Sequence, residues 1–160
     1  MTGGVLADWE IEALVHVSYG DGWSKTITRP PLIYPMNPSN LNSFGYDLTL
    51  HSEFMIPSFD LSKPTVLDPM DSSSARFIQF SGDYCIIPPN SFILGRSVEK
   101  INMPAWATGL CIGRSTYARC GIIANVTPLE AGWSGTVTIE LSNSTPMPAK
   151  VYAHRGIVQV

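Results

Sequence analysis

Residues 136 to 142 read Thr136-Val137-Thr138-Ile139-Glu140-Leu141-Ser142, an unbroken alternation of apolar and polar side chains. Successive side chains of a β-strand point to opposite faces, so Val137, Ile139 and Leu141 share one face and Thr136, Thr138, Glu140 and Ser142 the other. The segment reads as a strand of a sheet buried on one side. Outward from it, short β-branched and aromatic runs recur at residues 45–54, 77–80, 84–87, 91–98, 108–112, 122–126, 150–153 and 156–160. Turn residues separate them at 81–83, 88–90, 132–135 and 145–148. The chain has 13 prolines and 13 glycines, which interrupt helices and confine strands to short lengths. An all-β sandwich, jelly roll or distorted barrel is the expected architecture. One helix is expected, over 6–16, where Asp8 can cap, Glu10 and Glu12 suit the first turns, and Ile11, Leu14 and Val15 form a stripe for packing on the sheet. Residues 29–40 read as a loop.

With 160 residues the chain suits one domain, 1–160, with a single core. Hydrophobic residues make up 44% and charged residues 14%, and no apolar run approaches the roughly 20 residues of a membrane-spanning helix. The first residues lack a basic segment followed by an apolar one, so a cytoplasmic protein is expected, with no membrane partner. A net charge of -3 gives no general attraction for nucleic acid, and any phosphate recognition must be local. Cys85, Cys111 and Cys120 are odd in number and widely spaced, which argues against disulfides and a zinc ribbon; they read as buried small apolar residues.

Two segments offer chemistry. Gly113-Arg114-Ser115-Thr116-Tyr117-Ala118-Arg119-Cys120-Gly121 sets two arginines and two hydroxyls between apolar strands. If Ser115 opens a helical turn, Ser115 and Arg119 stand at i and i+4 on one face, with Gly121 at the turn's end. Backbone N–H groups, hydroxyls and a guanidinium together suit phosphate oxygens. Arginines that are merely solvated, or paired with carboxylates, explain the segment equally well at this level. The second is Glu140, mid-strand among hydroxyls: a partly desolvated carboxylate suits general-base work, and a solvated glutamate on an outer sheet face is the bland alternative. His51-Ser52-Glu53 matches the first half of the zinc-dependent deaminase signature, but no P-C-x-x-C follows, and His16 and His154 add no ligand spacing.

Gly113 to Gly121, followed by Asn125-Val126-Thr127-Pro128-Leu129-Glu130, Gly132-Trp133-Ser134-Gly135 and Thr138-Ile139-Glu140, resembles the dCTP deaminase family in order and spacing. The resemblance extends through Ser43 to Leu48, Cys85 to Phe92 and Thr145 to Lys150, covering about residues 43 to 160. It implies a distorted β-barrel or jelly roll of the dUTPase-like type with a short N-terminal helix, and a homotrimer with active sites between subunits. It implies hydrolytic deamination of dCTP to dUTP and ammonia, feeding the precursor of thymidine nucleotides, with no zinc and with Mg²⁺ bound to the triphosphate. Glu140 falls at the catalytic glutamate, and Ser115 and Arg119 where relatives orient water and stabilise charge. Arg114, Ser115 and Thr116 fall where the triphosphate is held, Thr138, Ile139 and Glu140 along the deoxycytidine, and Gln159 at a nucleotide-contacting glutamine. Tyr117, Ala118, Thr127, Pro128 and Glu130 complete the substrate-binding set that the resemblance implies, and dTTP or dUTP are its candidate regulator and product. Relatives continue past the last strand into a tail that covers the nucleotide, and that tail is expected to be missing from residues 1–160.

The same fold admits rivals. A dUTPase or a bifunctional enzyme would attack the α-phosphate, and Glu130 stands near where those relatives carry aspartate. Deamination of dCMP or of a modified cytosine nucleotide is a closer variant, and a nucleotide-binding regulatory protein is the rival from another class. Glu140 separates the last from the enzymes, because a binding module has little need of a proton carrier there.

Overall fold

Short strands are the main regular element of the computed structural model, which describes residues 4–15, 30–58, 66–71 and 73–160. In chain order they are β1 (Ile33–Tyr34), β2 (Leu41–Asn42), β3 (Gly45–Thr49), β4 (Glu53–Pro57), β5 (Phe77–Ser81), β6 (Tyr84–Ile87), β7 (Phe92–Asn102), β8 (Ile112–Gly113), β9 (Ile122–Asn125), β10 (Ser134–Asn143), β11 (Ala149–Tyr152) and β12 (Gly156–Gln159). Helix α1 (Asp8–Val15) precedes them, and a helical turn α2 (Ser115–Ala118) lies between β8 and β9. All pairings are antiparallel. The largest sheet runs β5-β4-β7-β10-β9 with β1 also on β7; a second runs β2-β3-β12-β8, and β11 pairs with β6. Among the described residues no helix is long and apolar enough to cross a membrane.

Strand β10 is the centre of this arrangement because its alternation is realised in burial: Val137, Ile139 and Leu141 are at most 2% exposed, while Thr136 and Thr138 lie on the outer face. The inward set joins Tyr46, Leu48, Leu50, Phe54, Ile93 and Ile157 in one core. The β7–β10 register shifts between Thr136 and Thr138. At that shift the Ser97 hydroxyl accepts from Val137 N–H (2.8 Å) and donates to the Glu99 carbonyl (2.6 Å), satisfying groups the bulged ladder leaves free. Beside it, the buried Glu99 carboxylate accepts from Tyr46 O–H (3.1 Å) and Thr49 N–H (2.8 Å). Burial first, and then the nearby Glu99 charge, push the Tyr46 hydroxyl up to about 12, although its bond from Asn37 N–H works against this.

Several expectations need correction. The strand expected over 45–54 is two strands in two sheets, because the backbone at Leu50 and His51 bonds to Arg155, His154 and Arg96 instead of continuing one ladder. Leu50 still points inward, so the hydrophobic pattern carries no trace of the break. The strand over 108–112 shrinks to the two residues of β8: Gly109 bridges only to Leu129, and Leu110 and Ile112 are exposed apolar side chains. The loop over 29–40 carries β1 and a 3₁₀ turn at Pro38–Asn40; Arg29 lies outside the described residues, as does His16 of the expected helix. In α1 the Ala7 carbonyl opens the helix and the Glu10 carboxylate reaches back to Ala7 N–H, while among the described residues the Asp8 carboxylate accepts only from Trp9 N–H. Ile11 is buried, with Leu14 and Val15 packed on the core. Of the cysteines, Cys85 is buried, Cys111 half-buried and Cys120 exposed, since Cys120 follows the outer turn α2.

Candidate active site

Glu140 is fixed from both sides, paired in register with Leu94 of β7 and with Asn125 of β9. Its side chain sits on the outer face, half-buried, and Oε2 is shut off from solvent with no hydrogen-bond partner among the described residues. A buried acceptor without a donor is costly, so such an atom marks either strain or a place prepared for a ligand. Glu140 lines a cavity of about 300 Å³ together with Thr127, Pro128, Glu130, Trp133, Thr136 and Thr138. Alternation puts Thr136, Thr138 and Glu140 there from one strand, and the segment leaving β9 supplies the opposite wall. Thr138 also borders a neighbouring cavity of about 260 Å³ that contains Glu53 and Arg96.

Trp133, in the segment that resembles the family, and Thr136, on the same strand face as Glu140, are outside the site set expected from sequence but line the cavity. A Cβ on Gly135 would stand 2.8 Å from the Trp133 ring, so glycine there lets the indole lie against the start of β10. Alternation along the strand is the sequence signal for Thr136, and an aromatic residue two positions before a glycine near the strand's start is the signal for Trp133. Ile139, grouped with the substrate-contacting residues, turns its side chain fully into the core and has only backbone on the cavity side.

The second cluster forms around α2. The Arg114 carbonyl accepts from Tyr117 and Ala118 N–H, and Arg119 N–H donates to the Ser115 carbonyl (3.0 Å), giving the one-turn relation expected of Ser115 and Arg119. Gly121, at φ +70°, ends the turn where a side chain would collide with Thr145. Ser115, Thr116, Ala118 and Arg119 are exposed, while Tyr117 packs against the core. Burial pushes the Tyr117 hydroxyl up, and Arg114 and Arg155 pull it back. Arg114 is paired: its Nη1 lies 2.7 Å from Asp47 Oδ2 and 3.4 Å from the Gly156 carbonyl. Gln159 is on β12 opposite Ile112, its Nε2 3.5 Å from the Phe44 carbonyl.

Thus one chain brings together Glu140, Thr138, Thr127, Pro128 and Glu130, and separately brings together Arg114, Ser115, Thr116, Tyr117, Ala118, Arg119 and Gln159. None of the second group lines the Glu140 cavity. Leu110, Ile112 and Ile123, flanking the second cluster, are 66%, 67% and 56% exposed, an apolar rim around polar residues. The His51-x-Glu53 pair is engaged elsewhere: Arg96 donates to Glu53 Oε2 (2.9 Å) and lies 3.0 Å from His51 Nε2. Among the described residues no three His, Cys, Asp or Glu side chains converge in a way that could hold a metal ion.

In fold the chain resembles the crystal structure of 2′-deoxycytidine 5′-triphosphate deaminase from Agrobacterium tumefaciens, with a TM-score of 0.70 and 18% identity over 99% of this chain and 47% of that one. The architecture is therefore the all-β, dUTPase-like barrel of that structure. A family profile described as dCTP deaminase-like matches residues 19–160. A dCTP deaminase of Sulfurovum sp. (strain NBC37-1) is 52% identical over 120 residues, 75% of this chain and 63% of its own length. One of Aromatoleum aromaticum is 53% identical over 119 residues, 74% of this chain and 62% of its own. The chain belongs to the dCTP deaminase-like family. Its matched part spans less than two thirds of the length of these relatives.

Proposed function

We propose that the protein hydrolyses dCTP to dUTP and ammonia at sites assembled between the subunits of a homotrimer. The observation that carries this reading is the solvent-shielded Oε2 of Glu140, without a partner among the described residues, at a cavity of about 300 Å³. A carboxylate oxygen with no protein donor is free to take a proton from water. Glu140 removes that proton as the water oxygen bonds to C4 of cytosine and passes it to N3; the same carboxylate then takes the remaining proton of the C4 hydroxyl and delivers it to the 4-amino group as the C4–N bond breaks, leaving the C4 carbonyl and ammonia. The exposed Ser115 hydroxyl and Arg119 guanidinium of a neighbouring subunit complete the site, holding the water and stabilising charge as it develops. The exposed apolar rim of Leu110, Ile112 and Ile123 supports a subunit contact at that place.

Arg114, Ser115, Thr116 and Gln159 hold the triphosphate end in this scheme, and Thr127, Pro128 and Thr138 the nucleoside. Magnesium belongs to the substrate in this scheme: a hard cation rides on the triphosphate oxygens and water. Free nucleotide as substrate places the reaction in the cytoplasm, and dTTP or dUTP are the ligands to test as regulator and product. Glu130 lines the same cavity as Glu140, which favours a second reading in which dUTP is hydrolysed further to dUMP and pyrophosphate.

Chromatography of products from dCTP and Mg²⁺ tests the proposal. Stoichiometric dUTP and ammonia are expected. dUMP with pyrophosphate would establish the second reading, turnover of dCMP alone would move the substrate, and binding without turnover would leave a regulatory protein. Light scattering is expected to give the mass of three chains; a monomer that turns over dCTP would remove the intersubunit site.

A further inference from the structure

Arg114 and Asp47 reach toward each other across one strand. Asp47 is on β3 and Arg114 directly follows β8, and these two strands flank β12 on opposite sides. Their side chains meet over Gly156 at the start of β12: a Cβ there would stand 2.6 Å from Arg114 Nη1 and 3.0 Å from Asp47 Cβ. Asp47 is only 7% exposed, so its carboxylate is committed to the guanidinium, since a carboxylate buried without a partner is strongly disfavoured. Both contacts, to Asp47 Oδ2 at 2.7 Å and to the Gly156 carbonyl at 3.4 Å, use Nη1. Among the described residues Nε and Nη2 have no partner, and the side chain remains 39% exposed. Those two nitrogens form the edge of a guanidinium that binds two oxygens of one phosphate side by side.

We infer that Asp47 is a positioning residue: it pins Nη1 of Arg114 over the gap at Gly156 and so reserves the Nε–Nη2 edge, beside Ser115, for a phosphate of the nucleotide. The inference rests on the reading that Arg114 holds the triphosphate. Asp47 touches no substrate, and its effect passes entirely through Arg114.

Calorimetric titration of Mg²⁺-dCTP into wild type, Asp47→Ala, Arg114→Ala, the double variant and Gly156→Ala tests it. Asp47→Ala is expected to raise Kd about tenfold, and the double variant to bind no more weakly than Arg114→Ala, because residues acting as one unit are not additive. Gly156→Ala keeps both charges, displaces Nη1 and is expected to raise Kd similarly, which carries the test if Asp47→Ala does not fold. Wild-type affinity in Asp47→Ala, or a double variant weakened by the full product of the two single effects, overturns the inference and leaves the deaminase reading standing. No binding of dCTP to wild type would instead remove that reading, and this inference with it.

Discussion

Glu99 and Glu140 stand on adjacent strands of one sheet and meet opposite environments. Glu99, on the inner face of β7, is 2% exposed, and both its oxygens accept protein hydrogen bonds. Glu140, on the outer face of β10, has an oxygen equally hidden from water with no donor among the described residues. A carboxylate buried among its own donors is finished by folding; one buried without them is finished only when something else arrives. The difference separates a structural acid from the proposed catalytic one without reference to either residue's type. Glu53 lies between these extremes, 43% exposed and paired with Arg96, an arrangement that surface pairs of this kind make worth about 0–1 kcal/mol.

The sharpest break in the comparison comes from exchanging each acid. Glu140→Gln is expected to lower kcat for dCTP about a thousandfold, within the range for loss of a general base. Its dCTP affinity should stay within a few-fold and its melting temperature should equal or exceed wild type, since a neutral amide relieves the unpaired oxygen. Activity near wild type would show that the orphaned oxygen has no chemical purpose. Glu99→Ala is expected to do the reverse: about 4 kcal/mol of stability lost in urea unfolding, from stranding the Tyr46 hydroxyl and Thr49 N–H, with kcat per folded molecule retained. A fall in kcat at full occupancy of the folded state would erase the distinction. Ser97→Ala, which strands Val137 N–H at the bulge, should cost about 2 kcal/mol and leave dCTP turnover unchanged.

The smallest effect concerns the intermediate case. Burial, and after it the Arg96 guanidinium, hold the His51 imidazole below its ordinary range near 6.5. The folded protein therefore resists protonation there more than the unfolded chain does, so this contribution to stability is full above about pH 6.5 and declines as the pH falls below it. Melting temperatures from pH 7.5 to 5 should drop less steeply in His51→Gln than in wild type; parallel curves would assign the acid limb to other groups.

Much of this was open to reading in the residues. Alternation over 136–142 gave the central strand and both of its faces, because a period of two is visible wherever one face is buried. Ser115 and Arg119 lie on one turn as their spacing requires. The features hidden from sequence are those made by contacts between distant segments. Asp47 is 67 residues from Arg114, and nothing local announces their pairing. The bulge at Ser97 lies inside a run that reads as ordinary strand, and Leu50 conceals a change of sheet by staying inward through it. Leu110 and Ile112 misled in the other direction: they are apolar, but apolar for a surface rather than for the core of their own chain.

The two faces of β10 tie accuracy of chemistry to correctness of assembly. Sliding this strand by a single position against β7 would carry Glu140 into the oily interior and bring Ile139 into contact with water, so the misregistered form is heavily disfavoured. No molecule can therefore reach its native packing with the acid facing the wrong way. Proofreading of the proposed active centre happens once, when the sheet zips up, and needs no later adjustment of its own.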